Sequence, residues 1–148
     1  MAKRSELPPL SEGQMAIMNV VWDYAAAAGG GGGGATVGEV WETLSARRSV
    51  ARNTVQTLLT RLEEKGWLTH RVDGAAFRYL PRRPRETTLR QVVRRLVDTA
   101  FVGSAEGLVM ALLQGRGVSK DEAQRIREMI DRAEADKHSS ERNATGQS

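Results

Sequence analysis

The stretch Arg52–Lys65, RNTVQTLLTRLEEK, carries side chains that could read DNA. With successive residues placed ~100° apart on a helix, the apolar side chains gather on one side. The opposite side carries hydrogen-bonding groups, with Arg61 on its flank. Amide, hydroxyl and guanidinium groups suit contacts to base edges and phosphates in a major groove. The spacing therefore predicts a two-faced recognition helix. Its apolar residues are Val55, Leu58, Leu59 and Leu62, and its polar residues are Asn53, Gln56, Thr57 and Thr60.

The two ends of this helix are expected to differ in their contacts with DNA. Because recognition helices usually enter the groove by their N-terminal turns, that end is predicted to read bases. Glu63 and Glu64 would repel phosphate, but they sit at the trailing end. An ordinary solvated helix face is the alternative interpretation. The predicted base readers are Arg52, Asn53, Gln56 and Thr57, and the predicted phosphate contacts are Thr54, Thr60 and Arg61.

The charge around this helix favours a polyanionic partner. Residues 47–85 hold ten Lys/Arg and three Asp/Glu, a net charge of +7, whereas the whole chain of 148 residues carries +4. Such a block binds nucleic acid through phosphate neutralisation and counterion release. A solvated basic face is again the alternative.

The elements that would position this helix follow the order of a winged helix-turn-helix. A first helix is predicted from Ser11 to Ala28, and a short one begins after Thr36, each opening with a capping-box pattern. Between them, the run Gly29–Gly34 is expected to be a flexible insertion without chemistry. The third helix ends at Gly66, and its N-cap is either Ser49 or Ala51.

A β-hairpin is predicted next, because strand-like runs flank the pair Asp73-Gly74. This hairpin would be the wing. Its basic residues Arg71 and Arg78 are expected to contact DNA.

A stiff hinge, Pro81 to Pro84, separates this predicted DNA-binding domain from three further helical patterns. These patterns cover Thr87–Phe101, Ser104–Gln114 and Ser119 to about Asp136, and the first two are too apolar for short helices exposed to water. Burial against a second copy is expected, with packing inside one chain as the alternative. The predicted dimerisation residues are Leu89, Val92, Val93, Leu96, Phe101, Leu108, Leu112, Leu113, Ile126, Met129 and Ile130.

The predicted fold is thus mainly α with a small β-hairpin. Residues 1–9 are expected to be a flexible N-terminus and residues 10–84 the winged helix-turn-helix domain. A helical dimerisation region at 85–136 and a disordered tail at 137–148 complete the organisation.

Several function classes are excluded by composition. The chain has no cysteine, and its histidines are His70 and His138, so it offers no thiolate metal site and no nucleophile triad. We expect neither an enzyme nor a cofactor or metal site. Because no apolar run approaches the ~18 residues of a membrane span and the basic N-terminal residues lack the apolar core of a secretory signal, a cytoplasmic protein is expected.

The run NTVQTLLTRLEEKGWL, Asn53–Leu68, closely resembles the TVxTxLxRLxxKG stretch of the BlaI/MecI/CopY family of bacterial repressors. A looser resemblance extends over residues 10–136, from LSEGQM at Leu10 and Trp22 through Phe77-Arg78-Tyr79 to the last helices. It implies a homodimeric transcriptional repressor bound to a palindromic operator. A winged-helix module for protein or RNA interaction is the alternative function.

The resemblance also implies how repression could end. In penicillinase-type members a membrane-bound sensor metalloprotease signals, and the repressor is cleaved in its dimerisation region. The comparable position here is Ala111-Leu112, which lacks the Asn-Phe pair of those repressors. The copper-responsive members use C-terminal cysteines, which this chain does not have. Relief by a proteolytic or other signal from a membrane sensor is therefore the expectation.

Overall fold

The computed structural model describes residues 7–29 and 33–146. This part of the chain contains six helices and three strands. Their order is that of a winged helix domain followed by further helices. They are α1 (Glu12–Ala27), β1 (Ala35–Thr36), α2 (Val37–Ser45), α3 (Arg52–Glu64), β2 (Leu68–Asp73), β3 (Ala76–Pro81), α4 (Arg85–Ala100), α5 (Ala105–Gln114) and α6 (Lys120–Thr145).

The predicted capping boxes fix the starts of α1 and α2. The Gln14 N–H donates to the Ser11 hydroxyl at 3.2 Å, and the Ser11 N–H donates to the Gln14 side chain at 2.9 Å. Thr36 and Glu39 make the same reciprocal pair at the same two distances. Each box satisfies two backbone donors that a helix leaves unpaired at its first turn.

The core of the winged domain is built from the apolar faces of α1, α2 and α3 and from the sheet. Val55, Leu59 and Leu62 of α3 have no exposed surface, and Leu58 is partly buried against the same cluster. The predicted apolar face of the third helix is therefore the face that anchors it.

The sheet has three strands, where a two-stranded hairpin was predicted. The order is β1-β3-β2, and both pairings are antiparallel. In the added pairing, Ala35 lies opposite Tyr79 and Thr36 opposite Arg78. β1 has only two residues, so no alternating pattern could reveal it. Its place is determined by the backbone of Gly34, where a Cβ would lie 2.1 Å from the carbonyl oxygen of Tyr79.

Two segments that we expected to be flexible are packed in part, although a Cβ at Gly29 would meet nothing within 4 Å. Leu7 lies partly buried against the core, and the Trp67 indole donates to the carbonyl of Pro8 at 3.2 Å. Gly33 and Gly34 lie so close to neighbouring atoms that a Cβ would clash at either. The rest of these two predictions, residues 1–6 and 30–32, lies outside the described residues.

The chain divides into two compact units, Met1–Arg95 and Leu96–Ser148. The division falls inside α4, whereas we predicted a boundary after Pro84. The first turns of α4 belong to the winged unit because Arg85 donates to the Asp23 carboxylate at 2.7 Å and Thr88 is buried. Trp22 strengthens the attachment by donating to the carbonyl of Arg83 at 2.9 Å.

The second unit contains the end of α4 together with α5 and α6. Among its described residues none is buried. α6 continues to Thr145, so the prediction of a disordered tail from residue 137 was wrong as far as the description reaches; residues 147 and 148 lie beyond it. The stretch from Lys137 to Thr145 has no glycine or proline to end the helix.

No single described helix is long and apolar enough to cross a bilayer. Only α4 and α5 taken together reach the required length and composition, and the chain bends sharply between them.

Candidate nucleic-acid interface

α3 begins at Arg52 with Ala51 as its N-cap, which decides between the two predicted caps. Ala51 offers no side-chain acceptor, so the first N–H groups of α3 have no side-chain cap. The preceding turn is held by the Trp41 indole, which donates to the carbonyl of Val50 at 3.0 Å. The open N-terminus of α3 is therefore positively polarised and fixed in place, as an anion contact requires.

The polar face of α3 is exposed along its whole length. All seven side chains that we predicted to contact DNA from this helix are exposed: Arg52, Asn53, Thr54, Gln56, Thr57, Thr60 and Arg61. The structure thus brings them together on one continuous surface, opposite the buried Val55, Leu59 and Leu62.

Two of these side chains already donate their hydroxyl hydrogen to a backbone carbonyl of α3. The Thr57 hydroxyl donates to the carbonyl of Asn53 at 2.9 Å, and the Thr60 hydroxyl donates to that of Gln56 at 3.0 Å. With that hydrogen engaged, each hydroxyl can only accept from a base or donate after losing its helix bond. In this state Thr57 and Thr60 suit a cytosine amino group or a thymine methyl group better than a purine acceptor.

Arg52 lies at the corner where α2 and α3 meet. A Cβ built on Gly38, in the first turn of α2, would lie 3.6 Å from Nη2 of Arg52. The absence of a side chain at Gly38 leaves the guanidinium room to rest there. The geometry presents this cation beside the open start of α3.

The wing carries one exposed arginine where two were predicted. Arg71 is exposed, whereas the Arg78 side chain is 23% exposed and its guanidinium is engaged within the domain. It donates to Asp73 at 2.7 Å, to Glu39 at 2.9 Å and to the carbonyl of Gly34 at 2.9 Å. Arg78 therefore ties the wing to β1 and α2, and our prediction that it contacts DNA is revised to a structural role. The partner Glu39 was not foreseeable, because it is 39 residues away in the chain.

The same network shifts two pKa values. The hydrogen bond and the positive charge of Arg78 lower the pKa of Asp73 below its ordinary value of 3.8. The hydrogen bond that Arg78 donates to Asp73 raises the pKa of Arg78, and the charge of Glu39 acts in the same direction. Both shifts favour the charged pair.

A second link between α3 and the wing was missed by sequence reasoning. His70 on β2 contacts the Glu63 carboxylate at 2.5 Å, and its ring stacks on Phe77 with centroids 4.3 Å apart. The available signal was the seven-residue separation of an acid at the end of α3 and a histidine on the following strand. The contact holds the wing at the trailing end of α3.

Comparison with known proteins points to one family. The model of the penicillinase repressor family matches residues 10–132. The chain belongs to the penicillinase repressor family.

The relatives it matches include the penicillinase repressor of Bacillus licheniformis, 22% identical over 85% of this chain and 92% of that one. The methicillin resistance regulatory protein MecI of Staphylococcus aureus (strain N315) is 21% identical over 83% and 94%. The transcriptional regulator BlaI of Mycobacterium tuberculosis (strain H37Rv) is 30% identical over 88% and 89%. Because this is a family of DNA-binding transcriptional repressors, the chain is not an enzyme.

Two solved structures are also similar. One is the solution structure of the DNA-binding domain of the repressor BlaI, with 28% identity and a TM-score of 0.46. The other is the monomeric form of Bacillus licheniformis BlaI in complex with the blaP half-operator, with 28% identity and a TM-score of 0.44. Each match covers 55% of this chain and 89% of the solved chain.

In this family member the predicted dimerisation residues are solvent-accessible. On α4, Leu89, Val92, Val93 and Leu96 are exposed, and Phe101, just after it, is half-buried. On α5, Leu112 and Leu113 are exposed and Leu108 is half-buried; on α6, Met129 and Ile130 are exposed and Ile126 is half-buried. None of these side chains is buried within the chain.

The predicted cleavage position lies inside a helix. Ala111 and Leu112 belong to α5, whose backbone is helical from Ala105 to Gln114. Proteases act most readily on exposed loops, so cleavage between these residues would require α5 to open locally.

Proposed function

We propose that this repressor acts in the cytoplasm as a homodimer on a palindromic operator, with α3 of each copy in a major groove. The observation that carries the proposal is the division of α3 into a buried apolar face and a fully exposed polar face. A two-fold dimer presents two such helices, and a palindrome offers them two equivalent half-sites.

The contacts within each half-site follow from the geometry of α3. Arg52, Asn53, Gln56 and Thr57 lie in its first two turns, and we assign them to base edges. Thr54 and Arg61 are assigned to the phosphates, as is Arg71 on the wing; Thr60 is assigned there too, donating once its hydroxyl releases the carbonyl of Gln56. The open N-terminus of α3 adds backbone N–H groups that favour a phosphate.

Dimerisation is supported by the apolar side chains left exposed outside the winged core. Large hydrophobic residues recur on α4, α5 and α6, and a monomer would hold them in water. Burying each Leu, Val or Met stabilises a protein by ~1.5–3 kcal/mol. A second copy of the same unit supplies a matching apolar surface by symmetry.

DNA binding is tested with a duplex from the region upstream of the protein's own gene and a scrambled duplex of equal composition. The native protein is expected to prefer the upstream duplex, with affinity falling steeply as salt rises. Arg52→Ala or Gln56→Ala should cost ~1–3 kcal/mol of that preference. Arg142→Ala, the same loss of charge at the end of α6, is the matched control. Equal affinity for both duplexes would contradict the specific repressor and favour a module for protein or RNA.

Self-association is tested by light scattering. Leu96→Asp and Leu112→Asp are expected to yield monomers and weaker DNA binding, because each places a charge in the proposed apolar interface. Val72→Asp changes an apolar residue on the wing that is more exposed than either, at 71% against 42% for Leu96 and 39% for Leu112, and is expected to remain dimeric. An unchanged mass for both interface variants would place the interface elsewhere.

Relief of repression is proposed to follow a signal from a membrane-bound sensor metalloprotease or another signal. The proposal rests on the family resemblance, and the helical setting of Ala111 and Leu112 makes direct cleavage there dependent on local opening. A gene for a membrane metalloprotease next to this one would favour the proteolytic signal. Its absence would favour a different inducer.

A further inference from the structure

We propose that the helical part of the second unit, residues 96–145, folds only against a second copy of this chain, so that dissociation of the dimer and unfolding of α5 are a single event. This inference rests on the proposed homodimer. It goes further because it predicts the state of the dissociated chain: a folded winged domain followed by an unfolded segment. In that segment the bond between Ala111 and Leu112 is open to proteases.

The second unit has no core of its own. Every residue of the buried hydrophobic cluster lies between Ile17 and Tyr79. Among the described residues from 96 to 146, none is buried. Buried apolar surface is what offsets the conformational entropy of ordering a chain. The winged domain meets this condition within one chain, and the second unit does not.

The shortage of buried surface is clearest in α5. This helix has only ten residues, a length at which an isolated helix is marginal in water. With ~100° between successive residues, its large apolar side chains cover more than half of its circumference, and such a helix is normally buried. Leu108 is half-buried, whereas the other four are exposed: Val109, Met110, Leu112 and Leu113. α5 therefore needs an apolar surface that the described part of the chain does not supply.

The charge of the second unit fits a second copy of itself. Residues 96–148 hold seven Lys/Arg and nine Asp/Glu, a net charge of −2, in contrast to the +7 of residues 47–85. Glu106 is the one charged residue in the sequence of α5. Two nearly neutral units meet with little net repulsion, whereas a polyanion such as DNA is not attracted to this surface.

The exposed apolar area is of the size that a dimer needs. Eight large hydrophobic residues of the second unit are exposed by 39–89%. A fully exposed side chain of this kind offers ~60–120 Å² of apolar surface, so the eight leave roughly 260–530 Å² per chain in water. Two copies, with the polar atoms that make up about a third of a homodimer interface, would bury roughly 800–1,600 Å². This range overlaps the ~1,200–2,000 Å² of stable interfaces, and the half-buried Phe101, Leu108 and Ile126 add to it.

The test uses two signals that report on different units of the full-length protein. Trp22, Trp41 and Trp67 are the three tryptophans of the chain, and all lie in the winged domain, so their fluorescence reports on that domain alone. α5 and α6 contribute 10 and 26 helical residues. The native protein is diluted stepwise while its mass is followed by analytical ultracentrifugation. Where the mass falls to that of one chain, the helical circular dichroism should fall by about 40% while the tryptophan fluorescence stays unchanged.

A variant reaches the same state without dilution. Leu112→Asp is expected to show the monomer mass, the reduced helical signal and the native tryptophan fluorescence at every concentration. Val72→Asp, which adds the same charge to an exposed apolar residue of the wing, should keep the native mass and helical signal.

Proteolysis locates the part of the chain that opens. Thermolysin cuts before bulky apolar residues, and α5 contains five of them but no Lys or Arg for trypsin. Cleavage within α5, located by mass spectrometry, should become at least about tenfold faster when the dimer dissociates, because its rate follows the population of the open state. The winged domain should resist under the same conditions, since its core is buried within one chain.

Mass and helical signal together distinguish this inference from the proposed homodimer. A dissociated chain that keeps its full helical signal and its resistance to thermolysin would overturn the inference and leave the homodimer standing. The monomer mass at every concentration of the native protein, with a full helical signal, would refute both. A loss of tryptophan fluorescence in parallel with the mass would also overturn the inference, because the winged domain would then unfold together with the second unit.

Discussion

Replacing Gly34 by alanine should dislodge β1 and cost the winged domain about 2–3 kcal/mol. The new Cβ would lie 2.1 Å from the Tyr79 carbonyl oxygen and 2.9 Å from its carbonyl carbon. Because carbon and oxygen in contact are ~3.3 Å or more apart, the strand must move by about 1 Å. Neither obstructing atom belongs to a side chain that could rotate away. The shift would weaken the short pairing of β1 with β3 and the bond from Arg78 to the Gly34 carbonyl.

The expected loss of stability combines two costs. Overpacking against backbone costs ~1–3 kcal/mol, and each weakened hydrogen bond costs ~1 kcal/mol. For a domain of this size each kcal/mol lowers the melting temperature by ~4–8 °C. Gly34→Ala should therefore lower it by about 10 °C or more. The melt is followed by circular dichroism at equal protein concentrations, since the proposed dimerisation would make the transition depend on concentration.

Gly13→Ala is the matched control for this prediction. A Cβ at Gly13 would meet Leu58 at 3.7 Å, an ordinary contact, and the residue lies in the first turn of α1. Alanine is the better helix former, so this variant should be neutral or more stable by up to ~1 kcal/mol. Equal melting temperatures for the Gly34→Ala and Gly13→Ala variants would refute the steric reasoning.

Two further predictions concern strain and pH. Val102 has φ +49° and is 89% exposed. The left-handed region costs a β-branched residue ~1–2 kcal/mol. Val102→Gly should therefore raise the urea midpoint of unfolding, although glycine gives the unfolded chain more freedom. A lower midpoint would contradict the strain at Val102. Because Arg78 lowers the pKa of Asp73 in the folded state, that stabilisation is complete above about pH 4 and is lost as the pH falls through the folded-state pKa. Acid unfolding monitored by fluorescence should therefore depend less steeply on pH in Asp73→Asn, and identical profiles would contradict the pairing.

The parts of the fold that the sequence could predict are those determined by local chemistry. The capping residues Ser11 and Thr36 mark the starts of α1 and α2, and Gly66 marks the end of α3. The helical period separates buried from exposed residues on α3, because each residue's direction follows from its position alone. The surface of α3 that we predicted to contact DNA could therefore be derived from the sequence of that helix alone.

The parts that were missed depend on distant partners. β1 exists because Gly34 permits a close backbone approach to Tyr79, which no pattern in two residues can indicate. Arg78 resembles any basic wing residue until Glu39 is brought beside it by the fold. Trp22 and Arg83 attach the start of α4 to the winged unit for the same reason. Each case is a tertiary contact between segments that are far apart in the chain.

The division of α3 into a buried and an exposed face affects how substitutions can change the operator preference of this repressor. Arg52, Asn53, Gln56 and Thr57 are exposed and lie opposite the buried face, so substitutions there should alter stability by no more than ~0.5 kcal/mol. Their effect on base discrimination should be several times larger, ~1–3 kcal/mol for each bidentate contact. In the proposed docking of α3, DNA specificity and folding are thus carried by different sides of one helix.

The wing does not share this freedom. Arg78 holds β1, α2 and the hairpin turn together through three acceptors, so exchanging it would disturb the support of the domain. Removing the cation would also leave the partly exposed carboxylates of Asp73 and Glu39 without this partner. Operator specificity in this chain is therefore free to vary through α3, while the placement of the wing relies on a network that tolerates little change.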